Sequence, residues 1–264
     1  MSADSAEDLA ARLEVRLAAD NEEIQAAQSL RYRVFYQEMG AKPSADMAAS
    51  LSDFDDFDAV CDHLLVLDPS LGSGAKAVVG TYRLMCRPAG ERFGRFYTSS
   101  EYDISQILDS DENFMELGRS CVDERYRNRS TMNLLWSGIA SYVRENNVSL
   151  MFGCASMPGV DPDLLAIHLS YLYHWHLAPV TMRPKALPEL YVPMNRVAKE
   201  TIDPRRALAQ LPPLVKGYLR LGGFVGDGAV IDHQFNTTDV CVMVKTELVT
   251  EKYVKHYDRN AREV

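Results

Sequence analysis

The chain has 264 residues, 47% hydrophobic and 25% charged, with a formal net charge of −9. That length supports a sizeable core, no stretch approaches the roughly 20 uninterrupted apolar residues that cross a bilayer, and the acidity disfavours general nucleic-acid binding, for which no helix-turn-helix, zinc or RNA-recognition pattern is present. The opening run Met1-Ser2-Ala3-Asp4-Ser5-Ala6-Glu7-Asp8 is acidic, unlike a secretion signal, so the expected compartment is the cytoplasm.

In chain order, a first strand is predicted at 13–17, then a helix at 21–39 capped by Asp20 or Asn21. Residues 63–67 and 77–85, joined by the turn-forming 69–74, predict an antiparallel strand pair. Phe114–Val122 is the next strand. Ser130 is expected to cap a helix whose Met132, Leu135, Trp136, Ile139, Ala140 and Val143 recur at helical spacing, the cleanest such period in the chain. Residues 150–155 read as a strand, 161–173 as a helix, and 179–193 as irregular because Pro184, Pro188 and Pro193 interrupt it. A helix at 214–221 ends at Gly222-Gly223, and strands follow near 224–231 and 240–248. Without repeats, low-complexity blocks or a Gly/Ser linker, the order β-α-β-β-β-α-β-α-β-β predicts one α/β domain at 13–257, between an N-terminal segment 1–12 and a tail 258–264.

The charge is unevenly spread. Residues 1–62 hold fourteen Asp/Glu against five Lys/Arg, whereas 183–220 carries eight Lys/Arg (Arg183, Lys185, Arg196, Lys199, Arg205, Arg206, Lys216 and Arg220) against Glu189, Glu200 and Asp203. The basic stretch suits an acidic partner. Five cysteines (Cys61, Cys86, Cys121, Cys154, Cys241) are scattered and never form C-x-x-C, so they read as small core residues. His174 and His176 have a spacing that a metal can use in a strand, but no second ligand cluster accompanies them, and no metal is expected.

Four motifs appear in one order: residues 31–35, the acidic run Asp53-Phe54-Asp55-Asp56-Phe57-Asp58, Arg83 after Gly80-Thr81-Tyr82, and Glu116-Leu117-Gly118-Arg119. This series resembles that of acyl-homoserine-lactone synthases, which have the GNAT fold, a mixed, mostly antiparallel sheet flanked by helices. Residues 116–143 and the block from Leu211-Pro212-Pro213 through Lys216-Gly217-Tyr218 to Phe235-Asn236-Thr237-Thr238-Asp239-Val240 are more similar still to ornithine N-acyltransferases, and this likeness covers roughly 13–257. It implies transfer of a long, often 3-hydroxylated acyl chain from acyl carrier protein to the α-amine of ornithine, which gives lyso-ornithine lipid. No tryptophan follows Phe35 within a dozen residues, where the lactone synthases place an aromatic wall for S-adenosylmethionine. A lactone synthase and a non-enzymatic, membrane-active lipid binder stand as alternatives.

Glu116 and Arg119 lie three apart, so a regular strand points them to opposite faces, and a bulge at Gly118 is predicted to return them to one. Bare main-chain N–H groups at such a bulge can stabilise a tetrahedral oxyanion, with Arg119 orienting Glu116 or a substrate carboxylate; a structural salt bridge is the plainer alternative. At pH 7 a lysine-like amine is neutral in roughly one molecule of a few thousand, whereas an α-amine starts closer to neutrality. Glu116 acting directly or through water is then an adequate base, and attack on a thioester needs neither metal nor protein nucleophile. Asp55 and Asp58 are expected to hold ammonium groups of a cationic acceptor, or else to form a solvated loop, with Phe54 and Phe57 anchoring the segment. Arg31 and Phe35, at i and i+4, share a helical face from which Arg31 can hold the acidic loop. Arg83 can do the same or bind the acceptor carboxylate.

Acyl-CoA users of this fold carry a glycine-rich loop before the central helix, but here Arg125 to Thr131 has no glycine. A phosphopantetheine arm, with one phosphate, is served by a helix N-terminus with Arg127, Arg129, Ser130 and Thr131; surface arginines are the alternative. Acyl-phosphopantetheine is thus the expected donor, no tightly bound cofactor is expected, and the basic stretch is the expected docking surface for acyl carrier protein. The fatty product leads to the expectation of weak contact with the inner face of the cytoplasmic membrane.

Overall fold

A computed structural model describes residues 12–249. The expected N-terminal segment up to residue 11, the domain end at 257 and the tail 258–264 lie outside the described residues. In chain order the elements are β1 (Glu14–Leu17), α1 (Asn21–Tyr32), α2 (Ala45–Ser50), β2 (Asp62–Leu67), β3 (Val78–Cys86), α3 (Arg87–Phe93), β4 (Tyr102–Asp103), α4 (Ser105–Leu108), β5 (Phe114–Val122), α5 (Arg129–Glu145), β6 (Leu150–Pro158), α6 (Ala166–His176), β7 (Lys185–Ala186), α7 (Pro204–Gln210), α8 (Pro213–Arg220), β8 (Phe224–Val225), β9 (Val230–Asp232) and β10 (Thr237–Lys245). The chain forms two compact units, one from 12–85 with Leu117–Asn147, the other from Cys86–Glu116 with 148–249.

In the first unit β1 pairs antiparallel with β2, and β2 with β3, whose other neighbour is β5. Of the two expected caps, Asp20 is the one used: it caps α1 by accepting from Glu23 N, and Asn21 is the first helical residue. The helix does not run on to residue 39 as expected: Arg33–Glu38 is π-helical, which changes the spacing of its side chains. The cap of α5 is Asn128, which accepts from Thr131 N, so the expected cap, Ser130, lies inside the first turn. Along α5, Leu135, Trp136 and Ile139 are buried as their period predicts. Gly138 fixes how close that helix comes to the sheet, since a Cβ there would lie 2.6 Å from Val15 Cγ2 and 3.1 Å from Leu64 Cδ1.

In the second unit the start of β5 pairs parallel with β6 over Phe114↔Leu150 to Glu116↔Phe152. A nine-residue antiparallel ladder joins β6 to β10, from Thr237↔Pro158 to Lys245↔Leu150, and β8 and β9 pair with β10. Phe96, Phe114 and Phe152 meet with ring centroids 5.4–5.9 Å apart, which anchors the segment after α3 on the first residues of β5 and β6. Strand β6 runs three residues past the expected 155, α6 starts later than the expected 161, and the expected strand 224–231 is two short strands. The short α2, α3, α4 and α7 went unread because each spans fewer than two helical turns' worth of apolar period. Among the described residues no helix is long and apolar enough to cross a membrane.

Gly138→Ala is expected to lower the stability of the protein by about 1–3 kcal/mol, because the added methyl meets the Val15 and Leu64 side chains rather than open space. Urea unfolding of the two proteins, followed by far-ultraviolet circular dichroism, measures this.

Candidate active site

In the first unit the sequence motifs at 31, 53–58, 83 and 119 converge. Arg31 leaves α1 with its side chain fully out of solvent. Its Nε donates to Asp53 Oδ2 (2.7 Å), Nη1 to Asp58 Oδ1 (2.9 Å), and Nη2 to Asp58 Oδ2 (2.7 Å) and the Asp53 carbonyl (2.6 Å). Arg83 reaches from β3 to Asp55 (2.5 Å) and Asp58 (3.0 Å), with its guanidinium 5.5 Å from the Phe57 ring centre. Arg119 on β5 donates to Asp55 Oδ2 (3.2 Å), its Nε 3.4 Å from Asp53 Oδ2. Burial opposes ionisation of both Arg31 and Asp58, but their mutual hydrogen bonds and charges, with Arg83 added, outweigh it: Asp58 is held well below the usual carboxylate range and Arg31 above its ordinary value. Burial also lowers His63, whose Nε2 donates to the Asp58 carbonyl at 3.0 Å.

This geometry corrects the expectation for Asp58. Its oxygens already receive Arg31, Arg83, the Gln28 amide (3.0 Å) and the Asp55 N–H (3.2 Å), so none is left for a substrate ammonium. Three guanidinium groups face three carboxylates, and the cluster carries no surplus negative charge to attract a cation. Asp55 is engaged by Arg83 and Arg119 but keeps a side chain 23% exposed. Of the two expected anchors, Phe57 is buried and Phe54 is 39% exposed. Phe35 packs against Leu30, Val34 and Cys121. Asp53, Gln28 and Tyr36, whose hydroxyl donates to Asp53 Oδ1 (2.9 Å), complete the cluster and were not assigned roles from the sequence. Gln28 stands one helical turn before Arg31, a signal available in the sequence.

In the second unit Glu116 closes the parallel ladder opposite Phe152 and is buried. Its carboxylate accepts from Tyr97 N (2.9 Å) and Thr98 N (2.6 Å), so it pins the turn Tyr97–Ser100. That turn was not foreseen. Beyond Glu116, the backbone departure falls at Arg119, with φ 51°, one residue after the predicted position at Gly118, which is not among the residues of positive φ. From Gly153 to Pro158 the ladder of β6 that the described residues show is the one to β10.

At the N-terminus of α5, Arg127 donates to the Val122 carbonyl (2.8 Å) and pairs with Glu38, while Arg129 is exposed. Ser130 is half-buried. Thr131 is buried, with its hydroxyl 3.3 Å from Asn128 Oδ1, so it turns toward the cap instead of outward.

The acetyltransferase (GNAT) domain family matches residues 30–137. In fold the chain is similar to a CoA-dependent acyl-homoserine lactone synthase, BjaI, solved with SAM and isopentyl-CoA, at TM-score 0.51 and 13% identity over 94% of this chain and 88% of that one. Together with the sheet described above, these make the chain an acyltransferase of the GNAT class. It is 46% identical to the L-ornithine N(alpha)-acyltransferase of Rhizobium meliloti (strain 1021), over 95% of this chain and 86% of the relative. It is 43% identical to that of Rhodobacter capsulatus, over 93% and 95%. The chain belongs to this family of L-ornithine N(alpha)-acyltransferases.

Replacing Arg31 by Met strands Asp53 and Asp58 without their buried counter-ion and is expected to cost about 3–5 kcal/mol of stability. Thermal and urea unfolding of Arg31→Met would show a change within a few tenths of the wild-type value if the guanidinium carried no such load.

Proposed function

We propose that this protein moves a long, often 3-hydroxylated acyl group from the phosphopantetheine thioester of acyl carrier protein to the α-amine of ornithine, giving lyso-ornithine lipid. The observation that carries this reading is the 43–46% identity, over nearly the whole chain, to relatives named L-ornithine N(alpha)-acyltransferase. In the reaction the neutral amine nitrogen attacks the thioester carbon, the C–N bond forms, the C–S bond breaks, and the carrier's thiol leaves. Glu116 takes the ammonium proton, directly or through water. Main-chain N–H groups of β6 are suited to hold the oxyanion, as donors fixed before the reaction begins.

The arginine–aspartate cluster supports a division of roles. Arg31, Phe35, Asp58 and Arg83 hold the loop in shape, while Arg119 and Asp55, the more exposed pair, meet polar groups of the substrates. The helix terminus at Arg127, Arg129 and Ser130, with the main-chain N–H groups of its first turn and no acidic residue there, suits the single phosphate of a phosphopantetheine arm. The basic stretch 183–220 suits the acidic surface of acyl carrier protein.

Purified protein given a 3-hydroxyacyl carrier-protein thioester is expected to acylate ornithine and to leave S-adenosylmethionine untouched, as read by product mass. Acylation of S-adenosylmethionine alone would instead make it a lactone synthase. Glu116→Gln is expected to lower turnover by about 10²–10⁴-fold while circular dichroism stays that of the wild type; unchanged turnover removes Glu116 from the chemistry.

Leu164, Ile167 and Val180 are 82%, 50% and 69% exposed, and these apolar side chains, with the basic stretch near them in sequence, support peripheral contact with an anionic bilayer that receives the product. Co-sedimentation with anionic vesicles is expected at low salt and should fall when Leu164 and Val180 are both changed to Ser. Failure to sediment at all would remove the membrane from the proposal.

A further inference from the structure

The cationic end of the acceptor needs a negative site, and the arginine–aspartate cluster has none to spare. A second group of carboxylates lies in the second unit: one oxygen each of Glu101, Asp232 and Asp239 falls within 4.8 Å of the others, with Glu101 and Asp239 buried. Three carboxylates so close make a strongly negative spot that suits a cation. An independent feature points the same way. The Thr237 side chain is 3% exposed, yet its hydroxyl has no hydrogen-bond partner among the described residues. Thr237 stands opposite Asp232 in the β9–β10 ladder and two residues before Asp239, so all three side chains project from the same face. A buried hydroxyl left unpaired in that position is an acceptor waiting for a donor.

The group and Glu116 belong to the same unit and to neighbouring strands or turns of it. Strand alternation puts Phe152, Cys154 and Ser156 on one face of β6, with Glu116 beside Phe152 on β5, and with Cys241 and Asp239 opposite Cys154 and Ser156 on β10. Thr98 lies between them: it gives its main-chain N–H to Glu116, and its hydroxyl is 3.8 Å from the sulfur of Cys154, a thiol that also feels the charge of Glu101.

We propose that Glu101, Asp232, Asp239 and the Thr237 hydroxyl form the subsite for the distal ammonium group of the acceptor amino acid, and so select an α,ω-diamino acid over a neutral one. The inference rests on the ornithine reading above. An –NH₃⁺ group offers three N–H donors, which match three converging carboxylates. The subsite would leave the α-amine of a bound diamino acid on the Glu116 side, where the thioester is attacked.

The test compares kcat/KM for ornithine and for norvaline, which keeps the carbon chain but lacks the distal amine, using the carrier-protein thioester and EDTA in the buffer. The wild type is expected to favour ornithine. Asp239→Asn and Glu101→Gln are expected to lower the ornithine-to-norvaline ratio at least about 30-fold, mainly through KM for ornithine. The partly exposed Asp232→Asn and the uncharged Thr237→Val serve if either buried variant fails to fold, and should lower the ratio several-fold. A ratio unchanged in the folded variants overturns the subsite. Loss of the wild-type preference when EDTA is added overturns it too, since the carboxylates would then be holding a metal ion. A wild type that acylates neither amino acid sinks the ornithine reading itself.

Discussion

A guanidinium removed wholly from water is tolerable only where each face of its fork meets an acceptor, and Arg31 meets that condition with four hydrogen bonds to Asp53 and Asp58. The demand organises its surroundings. It draws the loop 53–58 onto α1, and Asp58, shared with Arg83, ties that loop to β3. The loop's own turn is closed by a reciprocal pair, Asp55 accepting from Phe57 N and Asp58 from Asp55 N. Part of the acidity concentrated in the first quarter of the chain, Asp53, Asp55 and Asp58, is thus paired with arginines inside the molecule.

The fold was legible where periodicity ran long. Strand Phe114–Val122 and the apolar face of α5 were read directly, and the Asp20 cap came from its place before the first turn of α1. What the sequence did not disclose was choice among near-equals. Asn128 and Ser130 are both good caps, and the chain's 3-10 turn Glu124–Tyr126 delivers Asn128 to the position first. The shift to π-helical winding at Arg33 has no composition signal. The acidic run was visible as a motif, but whether its carboxylates face a substrate or an arginine depends on Arg83 and Arg119, which lie 28 and 64 residues from Asp55. Glu101, Asp232 and Asp239 were invisible for the same reason, being joined by the fold across 131 and 7 residues and not by spacing.

The separation of charge within the molecule bears on its chemistry. A site that acylates one amine of a diamine has to leave one nitrogen neutral and keep the other charged, and a single negative pocket cannot do both. A self-neutralised arginine–aspartate frame, a carboxylate held by two main-chain N–H groups, and a separate convergence of acids supply three distinct electrostatic environments. The family membership gives the class of reaction, and the subsite proposed above, within the second unit, would tell the two nitrogens apart.

The thiols of Cys121, Cys154 and Cys241 are driven upward by burial, Cys121 to about 12, and so stay protonated at neutral pH. An acyl chain consequently has no resting place on them. Buried and protonated, these three sulfurs pack inside the protein rather than react.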